Sequence, residues 1–288
     1  MEPKTKKYTI NRSIKPDASE CSAVILEDQK PLSQSMVWKL QADFYANQGP
    51  EAWIKGIVPQ YITTNPYIAT LYARTVFGYC RDIAASEAFD KNTAIYIMEL
   101  AAGVGRFTYT FLKRFLHMVE NSSLKGLKFQ YIITDLAERN VAYWQNHSYL
   151  KPFFERGILD CAVFDMAKDE DLHLRLRNSG RIIRKGSLKN PLILFANYTF
   201  DSIPQDTFYV NKGKLHEGLI TVTSNNGQGE LKDKSILAGK DYFYTDKQIP
   251  GSGYYEDFIL MIFSCTIKPV WRILPFPFPS LLCGASGN

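Results

Sequence analysis

Glu99 closes the apolar run "AIYIMEL", and the residues after it, "AAGVGR", are small, with glycine at 103 and 105. A turn with so little side chain lets a ligand approach the main chain. The helix that follows offers unpaired N–H groups and a positive end to an anionic group. Three later apolar runs also end on polar residues: Asp135 in "YIITDL", Asp165 in "CAVFDM" and Asn197 in "LILFAN". One strand-end carboxylate can accept both hydroxyls of a ribose and another can accept from a base amino group, so the set suits a nucleoside-bearing ligand.

Details narrow the ligand. The dinucleotide fingerprint GxGxxG requires glycine at 108, where Thr108 stands, and the phosphate-cradling GxxxxGK[ST] pattern is absent. An acid at Glu99 repels a pyrophosphate but suits a ligand with an ammonium and a sulfonium, and S-adenosyl-L-methionine is such a ligand. The expected cofactor contacts are Glu99, Ala101, Gly103, Gly105 and Arg106 at the first strand end and Asp135 with Leu136 at the second. At the third, Asp165 faces the adenine amino group and Met166 the ring; at the fourth, Asn197 and Tyr198 lie beside the reactive methyl, with Asp201 as a candidate base. Plainer roles stand beside these: the glycines can serve helix packing, Asp135, Asp165 and Asp201 can cap the next turn, Asn197 can be a turn residue, and Tyr198 can cover the adenosine.

The elements that must position these residues alternate. "AIYIMEL" is a strand, Arg106 to Val119 an amphipathic helix, "KFQYIITD" a strand, and Glu138 to His147 a helix. "LDCAVFD" and "LILFAN" are two more strands around the charged, helix-compatible stretch from Ala167 to Arg177. Such alternation implies an α/β fold with a parallel, Rossmann-like sheet and a ligand crevice at the strand carboxyl ends. The expected organisation is a loose lead-in over 1–33, a helical segment over 34–90, the Rossmann-like core with a hairpin turning at Asn211 to Gly213 over 91–222, and a loop with an irregular tail over 223–288.

The acid and glycines resemble the x-G-x-G-x-G motif of class I S-adenosylmethionine-dependent methyltransferases, with Ala101 where the first glycine usually stands. Two further stretches narrow the resemblance. "QYITTNPYIATLYA" resembles the F-x-T-S-P-x-I segment of MidA-like methyltransferases, the family that includes the mitochondrial complex I assembly factor acting on arginine. The match runs through Ile62, Thr63, Thr64 and Pro66, with Asn65 as an extra residue. "LILFANYTFDSIPQDTFYV" is similar to that family's A-N-E-x-x-D-A-x-P-V segment through Ala196, Asn197, Asp201 and Pro204, with Ser202 for the small Ala. The resemblance covers residues 57 to 222 and implies methyl transfer to a protein side chain. Tyr198 replaces the family's Glu, which argues against arginine as the acceptor.

A class I sheet has seven strands, and after the hairpin the run "DFILMIF" and the prolines Pro269, Pro275, Pro277 and Pro279 supply no set of three. The expectation is a fold incomplete at its carboxyl end, either a truncated or alternatively spliced product or a variant whose tail is a cover or partner surface. A non-catalytic binding or assembly protein is therefore the alternative to an enzyme.

Composition bounds the rest. A net charge of +5 over 288 residues, spread along the chain, does not imply nucleic acid. The basic stretch from Arg175 to Lys189 reads as a solvated helix face and loop. Five scattered cysteines without a CxxC pair indicate neither a disulfide scaffold nor zinc and fit a reducing compartment, and the histidines show no metal-ligand spacing. No run reaches the roughly 18 apolar residues of a membrane span. The charged amino terminus has no clear transit peptide, so a cytoplasmic address is expected and a mitochondrial one stays open.

Overall fold

The computed structural model describes residues 24–169, 172–211, 214–224, 240–248, 263–265 and 270–272. In chain order, strand β1 (Val24–Pro31) precedes helices α1 (Met36–Gln48), α2 (Glu51–Ile54), α3 (Tyr61–Thr64) and α4 (Pro66–Ala84). Then come β2 (Ile95–Glu99), α5 (Arg106–Glu120), β3 (Phe129–Asp135), α6 (Glu138–Asn146), α7 (Lys151–Glu155) and β4 (Leu159–Val163). Strands β5 (His173–Arg175), β6 (Ile182–Arg184), β7 (Leu192–Phe195), β8 (Thr207–Asn211), β9 (Lys214–Ser224), β10 (Lys240–Gln248), β11 (Phe263–Cys265) and β12 (Val270–Arg272) complete the order. The chain divides into two units, one of them Val37–Ile203, the other Met1–Met36 with Pro204–Asn288.

The unit Val37–Ile203 is a Rossmann-like α/β fold. Its parallel sheet has the order β4-β3-β2-β7, with β2 paired to β3 on one side and β7 on the other. The chain leaves β2 toward β3 and β4, then returns to β7 on the opposite flank, so the direction of winding reverses between β2 and β7. All five residues of β2 are buried because both faces are covered.

Strand alternation divides the core. Ile95, Ile97, Tyr131, Ile133 and Phe195 join the cluster under the helices, while Tyr96, Met98, Ile132 and Ala162 face the other side. On the helix side, Phe107, Phe111 and Phe115 recur every fourth residue of α5 and stack along one face. Each buried aromatic ring contributes roughly 1.5–3 kcal/mol. Ala69, Ala73, Val76 and Cys80 form the small buried face of α4, which lets it lie close to that aromatic row. Asn65, the extra residue of "TTNP", is the N-cap of α4: its side chain accepts from the Ile68 N–H at 2.9 Å, with Pro66 in the first turn.

The opposite face carries a correction. The stretch from Ala167 to Arg177, expected as helix-compatible, forms no helix among the described residues; β5 and β6 pair as an antiparallel hairpin. Leu174, Leu176 and Ile183 alternate inward onto the sheet, and the arginines between them alternate outward. Arg177 pairs with Glu138 at 2.8 Å. Within the described residues no strand pairs with the outer edge of β7.

In the second unit β9 is the central strand of an antiparallel sheet, paired with β1, β8 and β10. β1 lies in the stretch expected as a loose lead-in, and β10 in the stretch expected as a loop. The register Asn211 to Lys214 makes β8 and β9 the expected hairpin; Gly213, and the prolines at 269, 275, 277 and 279, lie outside the described residues. No helix among the described residues is long and apolar enough to cross a membrane, and no group of three His, Cys, Asp or Glu among them could hold a metal.

Candidate functional site

Parity decides which way the strand ends point. Glu99 follows Ile95 and Ile97 to the helix side, where its Oε2 accepts from Thr108 Oγ1 at 2.5 Å and from the Tyr131 hydroxyl at 2.7 Å. Thr108, which excludes the dinucleotide fingerprint, is thus a donor to Glu99. Glu99 is only 4% exposed, and burial pushes its carboxyl up to about 7; the bonds from Thr108 and Tyr131 act in the opposite direction.

Asp135 ends β3 with both oxygens engaged by backbone: Oδ2 accepts from Gly103 N–H and Oδ1 from Ala137 N–H, each at 3.0 Å. It joins the glycine turn to the start of α6 beside half-buried Leu136. Burial pushes its carboxyl up to about 6 against these bonds. Among the described residues neither Glu99 nor Asp135 has an ion-pair partner.

The glycines are closely packed by the chain itself. A Cβ at Gly105 would lie 3.1–3.2 Å from Leu150, Ile133 and Trp144, and one at Gly103 would lie 3.0–3.3 Å from the Trp53 ring of α2. Trp144 Nε1 donates to the Gly103 carbonyl at 2.9 Å, and Tyr45 stacks on Trp53 at 5.5 Å. Burial, and then the charges of Asp201 and Asp135, hold the Tyr45 hydroxyl above its ordinary value. Neither Trp53 nor Tyr45 belongs to a motif, and their position over the turn has no local sequence signal.

Ala101, at the motif's usual glycine position, is exposed with φ +50°, in the left-handed region. There an L side chain costs roughly 1–2 kcal/mol, while a glycine costs about 0.5–1 kcal/mol in unfolded-chain entropy. Ala101→Gly is accordingly expected to raise stability by up to ~1 kcal/mol in urea denaturation; a clear loss would contradict the left-handed assignment. Arg106 opens α5, whose N-terminus has no side-chain cap, and its guanidinium lies 5.6 Å from the centre of the Tyr61 ring.

Asn197 lies two residues beyond Phe195 on the helix side, and its Oδ1 accepts from the Tyr72 hydroxyl at 2.6 Å. Tyr198 is 60% exposed with φ +50°, and Asp201 sits in the 3-10 turn Phe200–Ser202. Thr199 Oγ1 reaches the Leu100 carbonyl at 3.5 Å, which brings this turn against the end of β2. Asp165, two residues past the end of the outer strand β4, serves its own turn by accepting from Ala167 N–H at 3.0 Å and Lys168 Nζ at 2.8 Å. Met166 packs on the hairpin-side core.

The structure therefore brings Glu99, Asp135, the glycine turn and Asn197 to one end of three adjacent strands. Two buried carboxylates without an ion-pair partner among the described residues and an uncapped helix N-terminus match the charges of an amino-acid-bearing cationic nucleoside. The residues fit such a ligand by charge, at the β2 and β7 ends, rather than against the faces of Gly103 and Gly105.

No protein-family model matches the chain, and no curated protein does. Two crystal structures from Burkholderia thailandensis are similar to it. One is an uncharacterized protein, 14% identical with a TM-score of 0.38 over 79% of this chain and 46% of that one. The other, from the same superfamily, is a candidate methyl transferase bound to S-adenosyl-homocysteine, 14% identical with a TM-score of 0.35 over 78% of this chain and 52% of that one. The chain spans about half the length of these two proteins.

Proposed function

We propose that the chain binds S-adenosyl-L-methionine at the carboxyl ends of β2, β3 and β7 and methylates a protein side chain. The observation that carries this reading is the pair of buried acids, Glu99 and Asp135, with no cation beside them among the described residues. Bound there, the cofactor supplies an electrophilic methyl on a sulfonium. Glu99 would draw the positive charges from beneath, Asp135 would keep the turn in register, and Ala101 and Asn197 would line the opening between β2 and β7. Asp201, in the turn after β7, would be the carboxylate to take a proton from an incoming acceptor. Arginine as acceptor is the finer expectation of the family resemblance, and Tyr198 in place of an acid weighs against it.

Calorimetric titration of the full chain with S-adenosyl-L-methionine and S-adenosyl-homocysteine tests the reading. Both should bind, and more tightly at pH 8 than at pH 5, because the two carboxyls ionise across that interval. Absence of heat and of thermal shift with either ligand, on folded protein, sinks it. A non-catalytic binding or assembly role is the second reading, favoured by the exposed Tyr198 at the position of the family's acid. Transfer of labelled methyl to any protein acceptor rejects that alternative.

A further inference from the structure

Asn197 occupies the place where the winding of the sheet reverses, between the carboxyl ends of β2 and β7. Crevices at such points hold the ligands of open α/β sheets. Its amide has two chemically opposite ends, and an unrestrained asparagine presents either one. Here one end is fixed: Oδ1 takes the Tyr72 hydroxyl at 2.6 Å. The Tyr72 ring is itself held edge-on by Phe107 at 5.3 Å and Phe195 at 5.4 Å. Neither phenylalanine offers an acceptor, so the hydroxyl proton is best satisfied on Asn197. Nδ2 of Asn197 donates to no described residue, and the residue is half-buried rather than sealed off.

Resting on the cofactor reading above, we propose that Tyr72 is a positioning residue that holds Asn197 with its donor end toward the β2–β7 crevice, where it binds the carboxylate of the ligand's amino-acid portion. The register supports that assignment. Glu99 pairs with Phe195, the last residue of β7, so the amide stands two residues beyond the partner of the acid. An amino acid carries its ammonium and carboxylate on one carbon, which suits an acid and an amide donor side by side. Asn197 in this orientation does not accept a proton from the methyl acceptor; that work falls to another group.

The test compares wild type, Tyr72→Phe, Asn197→Ala and the double variant, each titrated with S-adenosyl-homocysteine and with 5′-methylthioadenosine, which lacks the amino-acid portion. For S-adenosyl-homocysteine, Asn197→Ala should weaken binding about tenfold, the factor carried by a hydrogen bond to a charged group. Tyr72→Phe should weaken it about threefold by freeing the amide, and the double variant should match Asn197→Ala alone, since Tyr72 acts through Asn197. For 5′-methylthioadenosine all four proteins should agree within about twofold. Losses that multiply in the double variant, or that persist with 5′-methylthioadenosine, overturn the proposal while leaving the cofactor reading in place. No binding of either ligand by wild type overturns both. Tyr72→Phe with the two ligands carries the test alone if Asn197→Ala does not fold.

Discussion

Glu99→Gln is expected to stabilise the ligand-free protein at pH 8 and to weaken its binding of S-adenosyl-L-methionine by tenfold or more, about the effect of one lost charge-assisted contact. Burial moves this carboxyl from 4.5 to about 7, so at pH 8 the folded state must carry a charge that the unfolded chain carries at no penalty. A displacement of that size corresponds to roughly 3 kcal/mol as an upper bound. Glutamine keeps an oxygen for Thr108 and Tyr131 but brings an amino group that must find a partner, at a cost of about 1–2 kcal/mol. The net gain at pH 8 is therefore ~1–2 kcal/mol.

The sign over pH follows from the same displacement. Both Glu99 and Asp135 have folded values above their unfolded ones, so the folded state holds its protons more tightly. Their stabilising contribution is present below the unfolded values and is lost as pH rises through about 6 for Asp135 and about 7 for Glu99. Wild-type stability should fall between pH 5 and pH 8, and Glu99→Gln should flatten that fall. An acid kept only for structure would give the opposite result, a loss of stability on substitution at every pH. Denaturant midpoints at pH 5 and 8, read beside the calorimetric affinity, separate the two.

How far this was legible in the sequence depends on the range of the interaction. β2, β3, β4 and β7 read directly because each is a short, mostly apolar run, and α5 because Phe107, Phe111 and Phe115 keep one helical face. The β5–β6 hairpin also carried its signal: "HLRLR" alternates apolar and basic residues and is followed by "NSG", but the density of charge suggested a helix face. β1 was not legible, since it gains its partner β9 from a distant part of the chain, and β10, the strand next after β9, lies in a stretch whose polar, glycine-containing composition reads as loop. The positions of Glu99 and Asp135 were readable from where the runs stop. Their partners were less so, and Tyr72 reaches Asn197 across 125 residues, a distance over which no local pattern operates.

Gly105→Ala is expected to destabilise the free protein by about 2–5 kcal/mol, more than any other single methyl added to the turn. Gly105 has φ +73°, where an L residue costs roughly 1–2 kcal/mol. The new methyl would also press on Leu150, Ile133 and Trp144 at 3.1–3.2 Å. All three are 1% exposed or less, so overpacking adds about 1–3 kcal/mol. At Gly103, with φ +57°, the neighbour is instead the half-buried Trp53 on the short helix α2, which can yield. Gly103→Ala should therefore cost less, about 1–3 kcal/mol. Urea denaturation of the two variants without ligand checks both the size and the order. Glycines retained only to admit a ligand would tolerate alanine in the free protein and lose affinity alone. The expected ranking, with the larger loss at Gly105, instead makes the second glycine a requirement of the core: α5 can start against β3 and α6 only where no side chain intervenes. On the proposed reading, the preference for a cationic ligand would then rest with Glu99 and Asp135, and the glycine turn would supply their rigid setting.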